Sequence, residues 1–411
     1  MLNFNQKYIF LIFPFFFISQ GLTIFLVGLI SLITIIDIIL KKKYSVFNNK
    51  IIIYLLFFSI YIIISSLNSN NIVLSLESSV FYFRFTIFAI FISFILESKK
   101  KYLSFFLNSL IILTLFISID GFFQYFSDYN LIGLKRDEVH TGRLSGIFNK
   151  ELILGSFISR IFPIILGLSF FLKKEKKFIY SKLGVFLYLS FLLGILVSGD
   201  RTALIYFLAT TLFMIIFLKN FRKLFILIAL LASLLILIVT SINPTFKKRF
   251  IDRTLNEDLN ISQGIININF FTSTHEEHYK TAILVFKESP LMGVGPKLFR
   301  EECKKFENIY LYGCSTHPHN NFLQILSEIG IIGLLFYLLA IGYFITHLIN
   351  DIIINRKKND PHNEIIVKNF MIIAILISLQ PLFPSSNFFG SYINTFYYAP
   401  LGIYLALNNT K

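Results

Sequence analysis

The sequence has few charged residues. Of its 411 residues only 15% are charged, whereas 55% are hydrophobic and the mean hydropathy is +0.71. A soluble multidomain protein does not need so many apolar side chains to fill its cores. The composition therefore predicts a polytopic membrane protein. Tryptophan is absent while phenylalanine occurs 50 times, a bias to which we assign no function.

Two motifs of soluble catalytic folds are missing. No Gly-x-Ser-x-Gly nucleophile elbow occurs, which argues against a Ser-His-Asp hydrolase. The segment Gly293-Val-Gly-Pro296 lacks the Gly-Lys-Ser/Thr of a phosphate-binding P-loop and does not open a Rossmann unit. We predict instead a turn between two interfacial helices. The first of them contains Ala282, Val285 and Phe286 at helical spacing.

Acidic residues are scarce relative to basic ones, with 23 Asp and Glu against 38 Lys and Arg, for a net charge of +15. In a membrane protein this excess usually follows from the positive-inside rule. No basic and aromatic pattern typical of nucleic-acid binding is present. We therefore predict the lipid bilayer, and not a nucleic acid, as a partner of the chain.

Only two cysteines are present, Cys303 and Cys314, and both lie outside any apolar run. They could close a small loop by a disulfide in an oxidising compartment, or remain as two reduced thiols. Together with His317 and His319 they also offer the elements of a zinc site. Their spacing matches no usual structural zinc pattern, so we predict no metal.

Apolar runs long enough to cross a bilayer occur about twelve times. They lie at 8–20, 22–40, 51–67, 79–97, 103–125, 152–172, 183–198, 202–218, 224–242, 329–348, 367–384 and 390–407. The first is short and contains Pro14, so it could instead form a re-entrant hairpin with the second.

Basic clusters indicate the orientation of the chain. With both termini inside, every short basic loop falls on the cytoplasmic side, as the positive-inside rule demands. These clusters are Lys41–Lys43, Lys99–Lys101, Lys173–Lys177, Lys219–Lys223 and Arg356–Lys358.

The same topology places one large loop outside. We divide the chain into an N-terminal membrane region 1–242 with about nine helices, an outer loop 243–319 with amphipathic helices, and a C-terminal region 320–411 with about three helices. The loop holds 10 of the 38 basic residues. An anionic ligand would explain this excess, although long loops also escape the charge rule.

Four arginines lie in or next to predicted spans. Arg84 and Arg160 fall within spans, where we favour a structural role. Arg201 caps the outer end of a span with Asp200 as a candidate partner, and Arg143 lies in an outer loop. Guanidinium groups there suit a diphosphate, which they can bind bidentately. We favour that role for Arg143 and Arg201.

The segment from His317 to Gly333 runs from polar residues into an apolar helix. If the helix is continuous, Gly330 lies about three turns below His319, and Gly333 returns to within about 40° of that face. These positions would then form a smooth groove for another helix or a lipid chain. An ordinary loop histidine followed by small packing residues is the alternative.

A neutral histidine at the membrane surface can take the proton of a sugar hydroxyl, and His319 fits this role. Asn320, Gln324 and Glu328 follow at four-residue steps on the same predicted helix. They could orient acceptor hydroxyls, but we expect Gln324 and Glu328 to face water.

His319-Asn320, followed after nine residues by Gly330-x-x-Gly333, resembles the signature of the bacterial O-antigen ligase and polymerase superfamily. The preceding segment Pro290 to Phe299 is also similar to the family, and Ser198-Gly-Asp-Arg-Thr-Ala203 resembles its arginine-bearing turn. The strong resemblance covers residues 275–337. It assigns Gly330 and Gly333 a structural role.

This resemblance implies an all-α, GT-C-like glycosyltransferase with about twelve transmembrane helices in the bacterial inner membrane. Its active site would lie in one large periplasmic loop, and both termini in the cytoplasm. It would act on a polyprenyl-diphosphate-linked glycan with inversion, without a metal or cofactor. The acceptor would be a lipid A-core molecule for a ligase, or a growing glycan for a polymerase.

The resemblance also implies roles for single residues. His319 would be the base, Arg201 and Arg143 would hold the diphosphate, and Asn320 and His317 would contact substrate. The family often has an arginine where this chain reads His275-Glu-Glu-His-Tyr279. Either His278 or a nearby arginine would then complete the cationic clamp.

We favour the ligase, with the polymerase next and a protein O-oligosaccharyltransferase as a third activity of the same superfamily. A transporter or flippase is the alternative from another class. The large outer loop and the lack of an obvious inverted repeat argue against transport.

Overall fold

The computed structural model of the chain is built mainly from α-helices. It describes residues 19–98, 100–136, 142–149, 151–172, 182–218, 222–242, 247–252, 261–262, 265–266, 271–356 and 363–408. The predicted span at 8–20 and the basic cluster at 173–177 lie wholly or largely outside these residues.

The described helices, in chain order, are α1 (Gln20–Leu40), α2 (Lys50–Leu67), α3 (Ile72–Ser79), α4 (Phe83–Ser98), α5 (Lys100–Ser127), α6 (Leu154–Leu172), α7 (Lys182–Ser198), α8 (Arg201–Phe217), α9 (Arg222–Ile242), α10 (Ser273–Glu288), α11 (Phe299–Glu302), α12 (Asn321–Arg356), α13 (Asn363–Leu379) and α14 (Ser391–Asn408). Shorter elements are 3-10 turns at Tyr44–Asn48, Gly146–Phe148 and Cys303–Phe306, a π-helical turn at Lys247–Asp252, and the antiparallel pair β1 (Ile261–Ser262) and β2 (Ile265–Ile266).

The helices lie where the apolar runs predicted them. Every predicted span from 22–40 onward overlaps a helix, so the all-α membrane fold is confirmed. Five helical stretches are long and apolar enough to cross a membrane, namely Gly21–Leu40, Lys50–Leu67, Ile72–Leu96, Leu103–Ser127 and Asn321–Ile354. Shorter apolar helices lie at Leu154–Phe170, Leu183–Ser198 and Arg201–Phe217. Twelve crossings and a GT-C-like fold stay predictions.

The chain forms two compact units, and each is drawn from three stretches of sequence. The first comprises Met1–Ser19, Ile95–Phe270 and Leu348–Ile377. Within it, helices α5, α6, α7 and α8 pack against one another. Phe162 and Phe207 stack in its core with ring centroids 4.4 Å apart, and both rings are fully buried.

The second unit comprises Gln20–Phe94, Phe271–His347 and Ser378–Lys411. Its helix α14 packs closely on α4, because a Cβ at Gly402 would lie 2.6 Å from the Ala89 carbonyl oxygen. The predicted division of the sequence into regions 1–242, 243–319 and 320–411 stays a prediction.

Helix α12 is interrupted at Gly330, whose φ of 67° and ψ of −168° are not helical. The break frees backbone groups on both sides, and the segment from Pro290 to Gly295 binds them. The N–H of Gly295 donates to the Glu328 carbonyl at 2.8 Å, and the N–H of Ile331 donates to the Pro290 carbonyl at 2.9 Å. The predicted turn at 293–296 is therefore present, and it also repairs the broken helix.

The predicted smooth groove of Gly330 and Gly333 is wrong. Gly330 is a junction between two helical stretches and does not lie on a continuous helical face. A Cβ there would meet Leu291 and would lie 2.6 Å from the Gly293 nitrogen. A Cβ at Gly333 would instead collide with the Ile329 side chain. Both glycines are required locally, by backbone conformation and by crowding.

Candidate functional site

His319 lies directly before α12 and not on it. Asn320 caps the helix, because its side-chain oxygen accepts the N–H of Leu323 at 3.1 Å. His319 itself has a φ of 55°, which is uncommon for a residue other than glycine. Its carbonyl accepts the N–H of Ser385 at 2.8 Å. The predicted alignment of His319 above Gly330 is therefore wrong, since the helix begins after the histidine.

Four histidine rings form a cluster in the second unit. His275 and His278 belong to the first turns of α10, and His317 and His319 precede α12. The ring centroid of His319 lies 4.1 Å from that of His317, 5.4 Å from that of His278 and 5.7 Å from that of His275. His319 is therefore the central ring of the cluster.

Three of these histidines, His278, His317 and His319, were predicted from the sequence, but His275 was missed. Its Nδ1 atom lies 2.8 Å from the hydroxyl oxygen of Thr272, just before α10. His275 and His278 are three positions apart, and residues at that spacing share one face of a helix. This spacing was the available signal.

Removal from water disfavours the charged form of three of these histidines. Removal from water lowers the pKa of His319 to about 3 and that of His317 to about 4, and it also lowers the pKa of His278. The neighbouring histidines lower the pKa of His319 further. At pH 7 His319 is neutral and retains one ring nitrogen that can accept a proton.

Cys303 and Cys314 are joined by a disulfide with 5.0 Å between their Cα atoms. Of the two states that the sequence left open, the structure has the bonded one. The thiolates that a zinc site would need are engaged in this bond. Within the described ranges, no group of three or more His, Cys, Asp or Glu is placed to hold a metal ion.

Two polar residues of α12 that were predicted to face water are buried. Gln324 and Glu328 are both 0% exposed. The side-chain amide of Gln324 donates to the Asn387 side-chain oxygen at 2.7 Å, and its carbonyl oxygen accepts the N–H of Phe388 at 2.8 Å. The expectation of a solvated stripe is wrong because the turn before α14 covers Gln324, and the Phe299 N–H at the start of α11 donates to the Glu328 carboxylate at 3.2 Å.

Asn320 is also committed to the fold. It is 4% exposed, and its side-chain amide donates to the Pro381 carbonyl at 2.8 Å. Together with its cap on α12, this bond uses both ends of the side chain. Asn320 therefore positions the chain at His319. This structural role was not predicted from the sequence, which suggested only a contact with substrate.

Arg143 and Arg201, the predicted diphosphate residues, belong to the first unit. The guanidinium of Arg143 donates to the Leu152 carbonyl at 2.7 Å and lies 3.8 Å from the carboxylate of Asp200. Asp200 also caps α8, the helix that Arg201 begins, by accepting the N–H of Ala203 at 3.2 Å. Asp200 thus connects the two arginine-bearing segments.

Arg84 and Arg160, for which a structural role was favoured, have side-chain partners inside their units. Arg84 donates to the Ser391 hydroxyl at 2.8 Å. Arg160 is 3% exposed, bonds to Ser156 on its own helix, and lies over the Tyr206 ring at 5.1 Å.

Fold and site together define a multi-pass helical membrane protein with a half-buried histidine cluster next to the start of a candidate membrane helix. Residues 183–338 match the family model described as O-antigen ligase. The resemblance to the O-antigen ligase and polymerase superfamily is thereby confirmed. No curated protein matches the chain.

The matched range extends from α7 into α12. It contains Arg201 and all four histidines, whereas Arg143 lies before it. Members of this family are glycosyltransferase-like ligases and polymerases. The matched part of the chain is therefore similar to that of membrane enzymes, and ligases and polymerases share the match.

Proposed function

We propose that the protein transfers a glycan from a polyprenyl-diphosphate carrier to a lipid A-core acceptor on the periplasmic side of the bacterial inner membrane. The observation that carries the proposal is the neutral His319 at the centre of the histidine cluster, inside the family match at 183–338.

In this reaction His319 accepts the proton of an acceptor hydroxyl. The hydroxyl oxygen attacks the anomeric carbon of the glycan and forms the new C–O bond. The bond between that carbon and the diphosphate breaks, and the carrier leaves with the electron pair. A single displacement of this kind inverts the anomeric configuration.

The low pKa of His319 gives the donor a part in activating the base. A base with a pKa of about 3 accepts protons poorly at pH 7. A diphosphate close to the reacting carbon brings negative charge near the ring, and negative charge raises the pKa of histidine. Donor binding therefore strengthens His319 as a base when the acceptor is deprotonated.

We assign Arg143 and Arg201 to the diphosphate on the resemblance and on guanidinium chemistry, since a guanidinium binds phosphate oxygens in pairs. In the histidine unit Arg300 is a nearby cation. The pKa of His317 is lowered first by burial and further by the positive charge of Arg300. The Nε atom of Arg300 is buried and has no hydrogen-bond partner among the described residues. Of the two alternatives, Arg300 is our choice to complete the cationic clamp, because burial lowers the pKa of His278 and disfavours its charged form.

The proposal predicts the behaviour of two substitutions at one position. His319→Ala removes the base, and His319→Asn also removes it while keeping a residue that tolerates positive φ. We expect both to lower glycan transfer by a factor of about 10² or more, the usual contribution of general base catalysis. The assay uses purified protein, a polyprenyl-diphosphate-linked glycan and a lipid A-core acceptor.

The matched control is His347→Ala, because His347 is an exposed histidine of the same helix α12. It should keep the rate of the unsubstituted protein. Turnover of His319→Asn near that rate, with the disulfide intact, would remove His319 from the chemistry.

A further inference from the structure

The loop closed by the disulfide, residues 303–314, has an inner and an outer face. On the inner face, Cys303 and Cys314 pack with Phe306 against a core that includes Val285 and Phe299. The outer face carries three large apolar side chains, Ile309, Leu311 and Tyr312, which are 62%, 74% and 62% exposed. We call these three residues the apolar tip. Since the inner face fills the core, the apolar tip is not a displaced part of it.

Hydrogen bonds connect the base of this loop to the ends of two candidate membrane spans. Asn70 donates to the Glu302 carboxylate at 3.0 Å, and Asn71 donates to that of Glu301 at 3.1 Å. The two asparagines form the turn between the spans Lys50–Leu67 and Ile72–Leu96. Glu302 directly precedes Cys303, so the loop begins at the level where these spans end.

Apolar surface continues along the spans up to this turn. Leu67 is 56% exposed and Val73 is 76% exposed, as expected for side chains that face lipid. The next residue, Leu74, packs against the core of the disulfide-closed loop. The apolar tip is therefore carried beside a surface that is apolar in the same way.

We propose that the apolar tip inserts into the interfacial layer of the bilayer on the side of the loop. Tyrosine is enriched at this layer because its ring is apolar and its hydroxyl is polar, and aliphatic side chains next to it lie among the upper acyl chains. The disulfide holds the tip in a fixed shape, and the Tyr312 N–H donates to the Glu277 carboxylate at 2.7 Å. The loop then attaches the histidine unit to the membrane surface at a point outside its helices.

The absence of tryptophan from the sequence permits a direct test. Leu311→Trp places a single indole at the tip, Val73→Trp provides a lipid-facing reference, and Thr274→Trp provides a reference at an exposed polar position of α10. Each full-length variant is placed in nanodiscs with lipids brominated near the headgroup. Quenching by bromine is compared with quenching by aqueous iodide, and Tyr312→Trp serves as a second, more conservative probe.

We expect bromolipid quenching at position 311 to be close to that of Val73→Trp and at least severalfold above that of Thr274→Trp. Strong iodide quenching without bromolipid quenching would place the tip in water. Shielding from both quenchers would show that protein covers it, for instance a second copy of the chain. Either result overturns the proposal, and mass spectrometry without reductant verifies that the disulfide is retained.

Discussion

At the residue level, His319 combines an uncommon backbone conformation with a half-buried ring. A left-handed conformation costs a residue other than glycine roughly 1–2 kcal/mol. Here it is held by the Ser385 N–H on the His319 carbonyl and by the Asn320 cap on the next helix. As a result the ring lies among His275, His278 and His317 and is not carried along the surface of α12.

The lowered histidine pKa values predict how the cluster responds to acid. In the folded state the pKa of His319 is about 3 and that of His317 about 4, below the ordinary value of about 6.5. Between the ordinary pKa and the lowered values, the histidine-bearing segments bind more protons when they are locally unfolded than when they are folded. The free energy of local unfolding therefore decreases as the pH falls from 7 to 5. The slope is at most about 1.4 kcal/mol per pH unit for each histidine.

Hydrogen exchange followed by mass spectrometry measures this response. Protection factors, corrected for intrinsic exchange, should fall with pH in the stretches 272–281 and 315–323. The reference is the stretch 392–405 of α14, which contains no histidine and belongs to the same unit. Equal pH dependence in both places would contradict burial of neutral histidines as the cause.

At the level of single elements, the break in α12 makes a sharp prediction. Gly330→Ala places a Cβ against Leu291 and near the Gly293 nitrogen at a φ of 67°. We expect a loss of more than about 2 kcal/mol in the free energy of unfolding, since backbone strain and steric overlap add. Thermal unfolding in detergent, followed by circular dichroism, measures it.

Gly342→Ala is the matched control on the same helix, because a Cβ at Gly342 would have no atom within 4 Å. Alanine is favoured over glycine inside a helix by roughly 0.5–1 kcal/mol, so this variant should be neutral or slightly more stable. If the two variants lost equal stability, the interlock at Gly330 would not be the cause.

Helices could be predicted from the sequence because each is an apolar run bounded by polar residues, as at 183–198 and 390–407. The break at Gly330 could not, since the Gly-x-x-Gly spacing also suits an unbroken helix, and the groups that satisfy the break come from Pro290 and Gly295. Local spacing alone also could not reveal that a later turn covers Gln324.

The site was predictable to a similar extent. His317 and His319 are close in sequence and could be named together, whereas His275 approaches them only because α10 packs near the start of α12. The place of His275 in the cluster depends on how two helices pack together, and the spacing of residues along one helix gives no information about that.

At the level of the whole molecule, the topology can be tested with single thiols. The chain has no free cysteine, because both cysteines are in the disulfide. Lys287→Cys on α10, in the predicted outer loop, and Lys42→Cys in a basic cluster each introduce one free thiol. Both positions are exposed. We expect a membrane-impermeant maleimide to label position 287 in intact spheroplasts and position 42 only after permeabilisation.

The unsubstituted chain is the control and should not react. Labelling of position 42 from outside would refute the predicted orientation, whereas labelling of the unsubstituted chain would show that the disulfide is not formed in the cell.

Ligase and polymerase activities differ in the products that the cell makes without the protein. Loss of a ligase removes the glycan from its lipid A-core anchor, whereas loss of a polymerase leaves one repeat unit on the anchor. We expect the first result in a deletion strain, and its reversal by the unsubstituted chain but not by His319→Asn. A ladder reduced to single units would assign the polymerase instead.

The hydrogen bonds between the segment from Pro290 to Gly295 and the junction at Gly330 join backbone to backbone. Apart from the glycines with positive φ, the side chains of these two segments can therefore change more readily than the number of residues in either one. We therefore expect insertions and deletions in related proteins to lie outside these two segments.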